Sequence, residues 1–525
     1  MKTNWIAPVS ALALAVSAAT HAQVLPEVQS SSAWYTDGQT QITSKLARDP
    51  KQKAKNVILF VGDGMGISTL TAARILKGQQ EGNSGEEGYL SFETFPFSAQ
   101  VKTYNVDAQT PDSAGTMTAM MSGLKTDVGV IGVDEDIERG DCSTVAGNEV
   151  VTALELAEIK GLSTGIISTA RITHATPAAT YAKSADRNWE DVSDMPEDAI
   201  GTCADIADQL VNFEMYLENR YPGIDVDGIE VAMGGGRRHF LPKDEAFNSP
   251  DAASSVEGDR TDGRDLTAEW QTQYENGVYV YDQTGFDAID ADSVERVFGL
   301  FNESHMQYEA DRDNDIAGEP SIAEMTATAI DVLDNNDKGF FLMVESGRID
   351  HGHHAGSAYG ALTDAIAFAD AVQAAVEATD PEETLILVTA DHSHVFTIAG
   401  YPKRGNPILG HVVSVGSEEP SLAADGLPYT TLGYTNGRGY RDLGMETNPD
   451  VTYSLDAVTG RVDTSAVDTT QPGYHQEATI PTSSETHAGE DISLHAMGPG
   501  SQYAQGVIEQ SVVFHLIDQA LDLVD

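Results

Sequence analysis

The stretch Glu345–Ser346–Gly347–Arg348–Ile349–Asp350–His351–Gly352–His353–His354 decides how the chain is read. The apolar run 339–344 precedes it and has the length and composition of a buried strand. The alanine-rich pattern 358–375 follows it and reads as a helix. Acidic residues and histidines therefore sit where a strand hands over to a helix, the edge at which α/β folds build their sites. With the chain helical by Asp350, Asp350 and His354 fall one turn apart on one face. A carboxylate and an imidazole at that spacing can grip one divalent ion. The plain alternative is a polar loop with solvated histidines, and the segment alone does not separate the two.

Moving outward, the same arrangement recurs. Residues 56–61 form an apolar run that enters Gly62–Asp63–Gly64–Met65–Gly66, and 67–76 then reads as a helix. The G-x-G-x-x-G spacing of a dinucleotide loop is not met. Asp63 instead stands at the carboxyl end of a strand, as a ligand or as a helix cap. The run 163–169 ends in Arg171–Ile172–Thr173–His174–Ala175–Thr176–Pro177, and Arg187 follows soon after. An arginine there can hold a phosphate in a bidentate pair, although a lone arginine is more often a surface ion partner. The run 384–389 ends in Ala390–Asp391–His392–Ser393–His394, again a carboxylate and imidazole suited to zinc. His487 lies among acids in Ser484–Glu485–Thr486–His487–Ala488–Gly489–Glu490–Asp491.

Ser113 opens a helical pattern in Asp112–Ser113–Ala114–Gly115–Thr116. A serine at a helix mouth is a cap or a nucleophile whose attacked anion sits at the helix N-terminus. No G-x-S-x-G elbow is present, so an ordinary serine hydrolase is disfavoured. A metal ion is another activator for such a serine.

The rest of the chain is read more coarsely. Helices are expected over 148–160, 203–219, 322–334 and 507–523, and a strand over 231–233. Residues 23–55 read as a polar lead over the surface, and 243–295 as surface loops with short elements. From 400 to 476 Gly, Pro, Thr and Tyr rise, which predicts an insertion of turns and short strands.

Composition bounds the partners. The 525 residues carry 82 Asp+Glu against 30 Lys+Arg, a formal net charge of -52. That excludes a basic nucleic-acid surface and disfavours an anionic membrane. Recurrent apolar strands speak against acidic disorder. A folded protein with so acidic a surface stays soluble in concentrated salt, and a salt-adapted source is expected. Residues 1–22, with Lys2, an apolar stretch 6–19 and Thr20–His21–Ala22, read as a secretory signal. No membrane anchor is expected, and the mature protein, 23–525, is expected to be periplasmic or secreted. In such a compartment the two cysteines, Cys142 and Cys203, read as one disulfide rather than two buried thiols.

Taken together, the motifs at 62–66, 112–116, 174–177, 347–354, 391–396 and 485–491 resemble those of alkaline phosphatases, in the animal-type branch. The resemblance spans nearly the whole mature chain. It implies a three-layer α/β/α fold with a mostly parallel central sheet and a crown-like insertion at about 400–476. It implies hydrolysis of small phosphate monoesters with Ser113 as the nucleophile and a phosphoserine intermediate. Two zinc ions are implied, one held by Asp350, His354 and His487, the other by Asp63, Asp391 and His392. One magnesium is implied on Asp63, Thr176 and Glu345. Arg187 would clamp the phosphate, and His174 and His351 match positions next to the magnesium ligands. Cys142 and Cys203 match a disulfide pair of that branch, and a homodimer is implied. Asn302 stands where animal-type members place an acid for an extra calcium, so calcium is not carried over. The rival readings are a phosphodiesterase, a sulfatase or a phosphonate monoester hydrolase, and a non-catalytic cation-binding envelope protein. The C-x-P-x-R context of sulfatases is absent around Ser113.

Overall fold

The computed structural model describes residues 25–46, 53–453 and 460–524. The leader expected over 1–22 lies outside them. The runs read from the sequence as buried strands form β1 (Asn56–Gly62), β3 (Ser163–Arg171), β4 (Val231–Gly235), β7 (Phe340–Ser346) and β8 (Thr384–Ala390). Joining them are β2 (Phe97–Lys102), β5 (Gly277–Val280), β6 (Arg296–Leu300) and two late strands, Ile492–Met497 and Gly506–Glu509. Across the sheet the order is Gly506–Glu509, β2, Ile492–Met497, β8, β1, β7, β3, β4, β6, β5. Every pairing is parallel except those of Ile492–Met497 with β2 and β8.

β1, β7 and β8 are buried at every position, as expected of central strands covered on both faces. One set of helices packs Ile67–Gln80, Ile322–Leu333, Arg348–His354 and Ala358–Ala378 together, and a second set groups Ala33–Leu46, Ser113–Ser122, Ala153–Lys160 and Val512–Leu521. Phe60 of β1 meets Phe368 edge-on at 5.8 Å, and Phe92 meets the same ring at 6.0 Å. Such buried aromatic pairs contribute about 1 kcal/mol beyond their area. The mixed α/β class and the large, mostly parallel sheet agree with the expectation from sequence.

Register sets the site. Val61 stands beside Glu345 and Thr389, and Gly62 beside Ser346 and Ala390. Asp63, Glu345 and Asp391 therefore reach the same edge of the sheet at the same level. Gly64 makes this turn possible: its φ is +69°, and a Cβ there would lie 2.3 Å from the His394 ring.

Several elements differ from their sequence reading for local reasons. The 148–160 helix begins at Ala153, because Thr152 and Glu155 form a capping box. The 203–219 helix is two pieces, Ile206–Val211 and Phe213–Arg220. Between them the Asn212 amide donates to the Asp208 carboxylate at 2.9 Å, a local bond that competes with the helix. The 507–523 segment opens as the edge strand Gly506–Glu509, pairing Val507 and Ile508 with β2, and turns helical only at Val512. The lead does more than cover the surface: Tyr35 packs on Phe514, and Gln29, fully buried, donates to the Ser122 carbonyl at 2.6 Å. Within 400–476, Leu432–Gly437 pairs with Phe396–Ile398 and Ala478–Pro481, and Arg441–Asp442 with Tyr474–His475. Cys142 and Cys203 form a disulfide.

Candidate active site

Apart from the disulfide pair, the site residues read from the sequence converge on the carboxyl edge of β1, β3, β7 and β8. Asp350 and His354 lie on the short helix Arg348–His354, one turn apart. His487 approaches from the strand His487–Ala488, which pairs with Ser393–His394. His354 Nε2 is 3.1 Å from His487 Nε2 and 3.3 Å from Asp350 Oδ1, and His487 Nε2 is 3.4 Å from that same oxygen. A second triangle stands beside it. His392 Nε2 is 3.3 Å from Asp63 Oδ1 and 3.3 Å from Asp391 Oδ2. Ligands at about 2.0–2.1 Å from a tetrahedral ion are about 3.3–3.4 Å from each other. The edges of the first triangle, 3.1–3.4 Å, and the two His392 edges of the second, 3.3 Å each, are close to that length.

The histidines are oriented for this. His354 Nδ1 donates to the Glu485 carbonyl at 2.7 Å, and His487 Nδ1 donates to the Pro111 carbonyl at 2.8 Å. Each bond turns Nε2 toward the triangle, the arrangement that metal-binding histidines adopt. Burial pushes His354 and His392 below the ordinary imidazole range, so both stay neutral.

Next to the second triangle, Asp63 Oδ2, Thr176 Oγ1 and Glu345 Oε1 are buried and have no hydrogen-bond partner among the described residues. Buried polar atoms are rarely left so. Burial, then the neighbouring Asp391, Asp350 and Glu345 carboxylates, drive Asp63 well above the usual range. Burial lifts Glu345 to about 8, against the hydrogen bond from Ser168. Asp391 is raised as well. No Lys or Arg pairs with any of the three among the described residues. Unpaired acids, three orphaned oxygens and neutral imidazoles are a donor set that fits divalent cations.

Ser113 is the first residue of its helix, but Asp112 is the cap, accepting from Gly115 N at 3.1 Å. That leaves Ser113 Oγ 3.2 Å from His392 Nε2 and 3.5 Å from Asp63 Oδ1. Asp112 also accepts from Arg187 Nη1 at 3.0 Å, which points the guanidinium toward the helix mouth. Arg187 Nη2 lies 3.4 Å from His174 Nε2. The His174 and His351 rings are 5.5 Å apart, edge to face. Burial, then Arg187 and Arg171, push His174 down to about 3.

Sequence reading left out residues that complete the site. His394 has no assigned role in the sequence reading. Its Nε2 lies 2.8 Å from Asp350 Oδ1 and its Nδ1 2.6 Å from Glu485 Oε2. Burial opposes its charge, but the Glu485 and Asp350 carboxylates lift it to about 10. It stands as an imidazolium that orients Asp350. The His392–Ser393–His394 spacing is a usable signal, because alternate residues of an extended chain share a face. Asp112, the holder of Arg187, sat one residue before Ser113. His305, whose ring is 4.2 Å from His351, gave no signal, since it comes from a loop about forty-five residues away in sequence.

Residues 54–523 match the family model described as alkaline phosphatase. The human tissue-nonspecific alkaline phosphatase isozyme is 41% identical over 518 residues, covering 97% of this chain and 92% of that protein. The chicken isozyme is 43% identical over 471 residues, covering 89% and 84%. Among solved structures, the Thermus thermophilus alkaline phosphatase overlays with a TM-score of 0.61 at 22% identity, covering 91% of this chain and 94% of that one. The enzyme of the Antarctic bacterium TAB5 gives 0.58 at 21% identity, covering 90% and 99%; at such identities these two speak for the fold. The chain belongs to the alkaline phosphatase family of metal-dependent phosphomonoesterases.

Proposed function

We propose that the protein hydrolyses a broad range of phosphate monoesters through a phosphoserine on Ser113, with two zinc ions and one magnesium. The observation that carries the reading is the pair of donor triangles beside the orphaned oxygens of Asp63, Thr176 and Glu345. Asp350, His354 and His487 would hold one zinc, and Asp63, Asp391 and His392 the other. Asp63, Thr176 and Glu345 would hold magnesium; a variant of the Antarctic relative has Mg bound in its M3 site. Bound there, the ions supply positive charge at the attacking and leaving oxygens of an in-line displacement.

The chain's own residues do the rest. Ser113 Oγ bonds to phosphorus as the ester P–O bond breaks, and the alcohol leaves. Water then attacks the phosphoserine and frees Ser113 and phosphate. Arg187 holds two of the equatorial oxygens, where charge spreads during transfer, and Asp112 holds Arg187. His392 and Asp63, the groups within hydrogen-bond reach of Ser113, are assigned as ligands, so no separate side-chain base serves it. Two in-line displacements retain configuration at phosphorus; inversion would exclude the phosphoserine.

The test is hydrolysis of p-nitrophenyl phosphate at alkaline pH before chelation, after chelation, and after zinc and magnesium are restored. Activity should vanish and return, and Ser113→Ala should abolish it. A folded, metallated protein without activity on this ester would overturn the reading.

The same proposal places the protein outside the cytoplasm after loss of 1–22, with 23–525 as the catalytic domain and 400–476 as its crown. It also takes the protein to be a homodimer joined through that crown, where Tyr401, Val415, Leu422 and Met445 are exposed. Light scattering of the purified protein that gave a monomer mass would remove the dimer. Adaptation to salt rests on the charge of -52, and a melting temperature no higher in about 1 M salt, where charges are strongly screened, would remove it.

A further inference from the structure

A cleft of about 280 Å³ opens beside the metal-ligand triangle of His354. Its walls include His351, Arg348, Arg438, Asp450 and Ser484. The two arginines differ. Arg348 is neutralised by Asp450, with Nη2 2.7 Å from the carboxylate, and lies 3.7 Å over the Tyr308 ring. Asp450 is in turn tied to the Tyr308 hydroxyl at 3.0 Å. The acid in the wall is thus spent on the first arginine.

Arg438 has no carboxylate partner among the described residues. Its Nη2 donates to the Tyr453 carbonyl at 2.9 Å, and its guanidinium stacks 4.0 Å over the Tyr453 ring. In a chain with 82 acids for 30 Lys+Arg, a half-buried arginine with no acid beside it among the described residues stands out. It is held in place by stacking, and its other N–H groups have no acceptor among the described residues. A planar donor fixed in a cleft is suited to a carboxylate or phosphate.

We propose that Arg438 forms a subsite for a second anionic group on the leaving portion of the substrate. The enzyme then favours phosphate monoesters that carry another phosphate or a carboxylate. This rests on the phosphomonoesterase reading and on leaving groups emerging on the His354 side. Simple charge bookkeeping predicts the reverse, because a protein of charge -52 repels each added anion.

The experiment uses the full, metal-loaded chain at about 0.1 M salt, where charge interactions reach about 10 Å. kcat/KM is measured for glycerol 1-phosphate, 3-phosphoglycerate and glycerol 1,3-bisphosphate, which share one type of ester bond. The parent should prefer at least one of the doubly anionic esters. Equal or lower kcat/KM for both would overturn the subsite without any variant. In Arg438→Gln the preference should fall about tenfold, the scale of one charge-assisted hydrogen bond, through KM rather than kcat. Arg438→Lys should keep part of it. An unchanged preference in Arg438→Gln, or an equal loss on all three esters, would overturn the proposal. Loss confined to 3-phosphoglycerate or to the bisphosphate would support it and name the group. A parent that hydrolyses none of the three, nor p-nitrophenyl phosphate, would count against the phosphomonoesterase reading instead.

Discussion

Two buried acidic clusters in this molecule are handled in opposite ways. Glu155, in the helix behind β3, is fully buried and meets Lys183 Nζ at 3.0 Å and Arg220 Nη1 at 2.6 Å. Burial pushes its pKa up, but Lys183 and Arg220 outweigh that and hold it below the ordinary range. Asp63, Glu345 and Asp391, at the carboxyl edge of the sheet, are buried as deeply and form no ion pair with a Lys or Arg among the described residues. At Glu155 the scaffold neutralises a buried acid with its own cations. The site leaves its acids to something from outside. Buried charge is tolerated only when compensated, so the uncompensated cluster marks where a ligand belongs.

The strongest way to break this contrast is to remove one acid from each cluster. Asp391→Asn should lower phosphatase activity by more than about 100-fold, the upper range for losing a residue behind a metal ligand. In the chelated protein the same change should not lower the melting temperature, because it relieves like-charge repulsion. Glu155→Gln should do the reverse. It strands Lys183 in the interior and should cost about 3 kcal/mol in denaturant unfolding, while kcat per folded molecule stays near the parent value. Equal stability losses in the two variants would erase the distinction.

His394→Gln is the next effect in size. It removes the imidazolium between Asp350 and Glu485, and zinc affinity should fall about 10- to 100-fold, read by competition with a chromogenic chelator. An unchanged affinity would make His394 a packing residue.

pH separates the clusters by sign. Glu345 has a folded pKa of about 8 against an ordinary value of 4.5. Its contribution to stability is therefore complete below about pH 4.5 and is lost as pH rises toward 8. Glu155 has a lowered folded pKa, so its contribution is present above its ordinary pKa and lost as pH falls. Melting of the chelated protein should drop between about pH 5 and 8, and restored metal should abolish that drop. A flat profile in the chelated protein would mean that the edge acids are compensated within the chain.

The smallest effect is long-range. kcat/KM for p-nitrophenyl phosphate should rise a few-fold on going from about 0.01 to 1 M salt, as the repulsion from a charge of -52 is screened. A steady fall would show that the local positive field of the site governs capture instead.

Much of this was legible in the sequence because strands announce themselves. Runs such as 56–61 and 384–389 are continuous and apolar, and each is followed at once by its polar residue, so Asp63 and Asp391 could be placed at strand ends before any coordinates. The pairing of Asp350 with His354 followed from helical spacing alone. The sequence reading missed features whose causes are non-local. Asn212 broke a helix through a bond to one side chain, and Val507 and Ile508 became an edge strand because β2 was there to pair with.

The sequence by itself determined which candidate ligand residues exist, which strand or helix end carries each, and that the chain is far too acidic for nucleic acid. Only the tertiary structure decided that Val61, Glu345 and Thr389 share one register, and that His394 lies between Asp350 and Glu485. It alone showed that Asp112 rather than Ser113 caps the helix, and that Arg438 lacks, among the described residues, an acid such as Arg348 has. The reason is range. Spacing along one element fixes which residues share a face, but compensation of charge depends on distances between elements, which are set by packing.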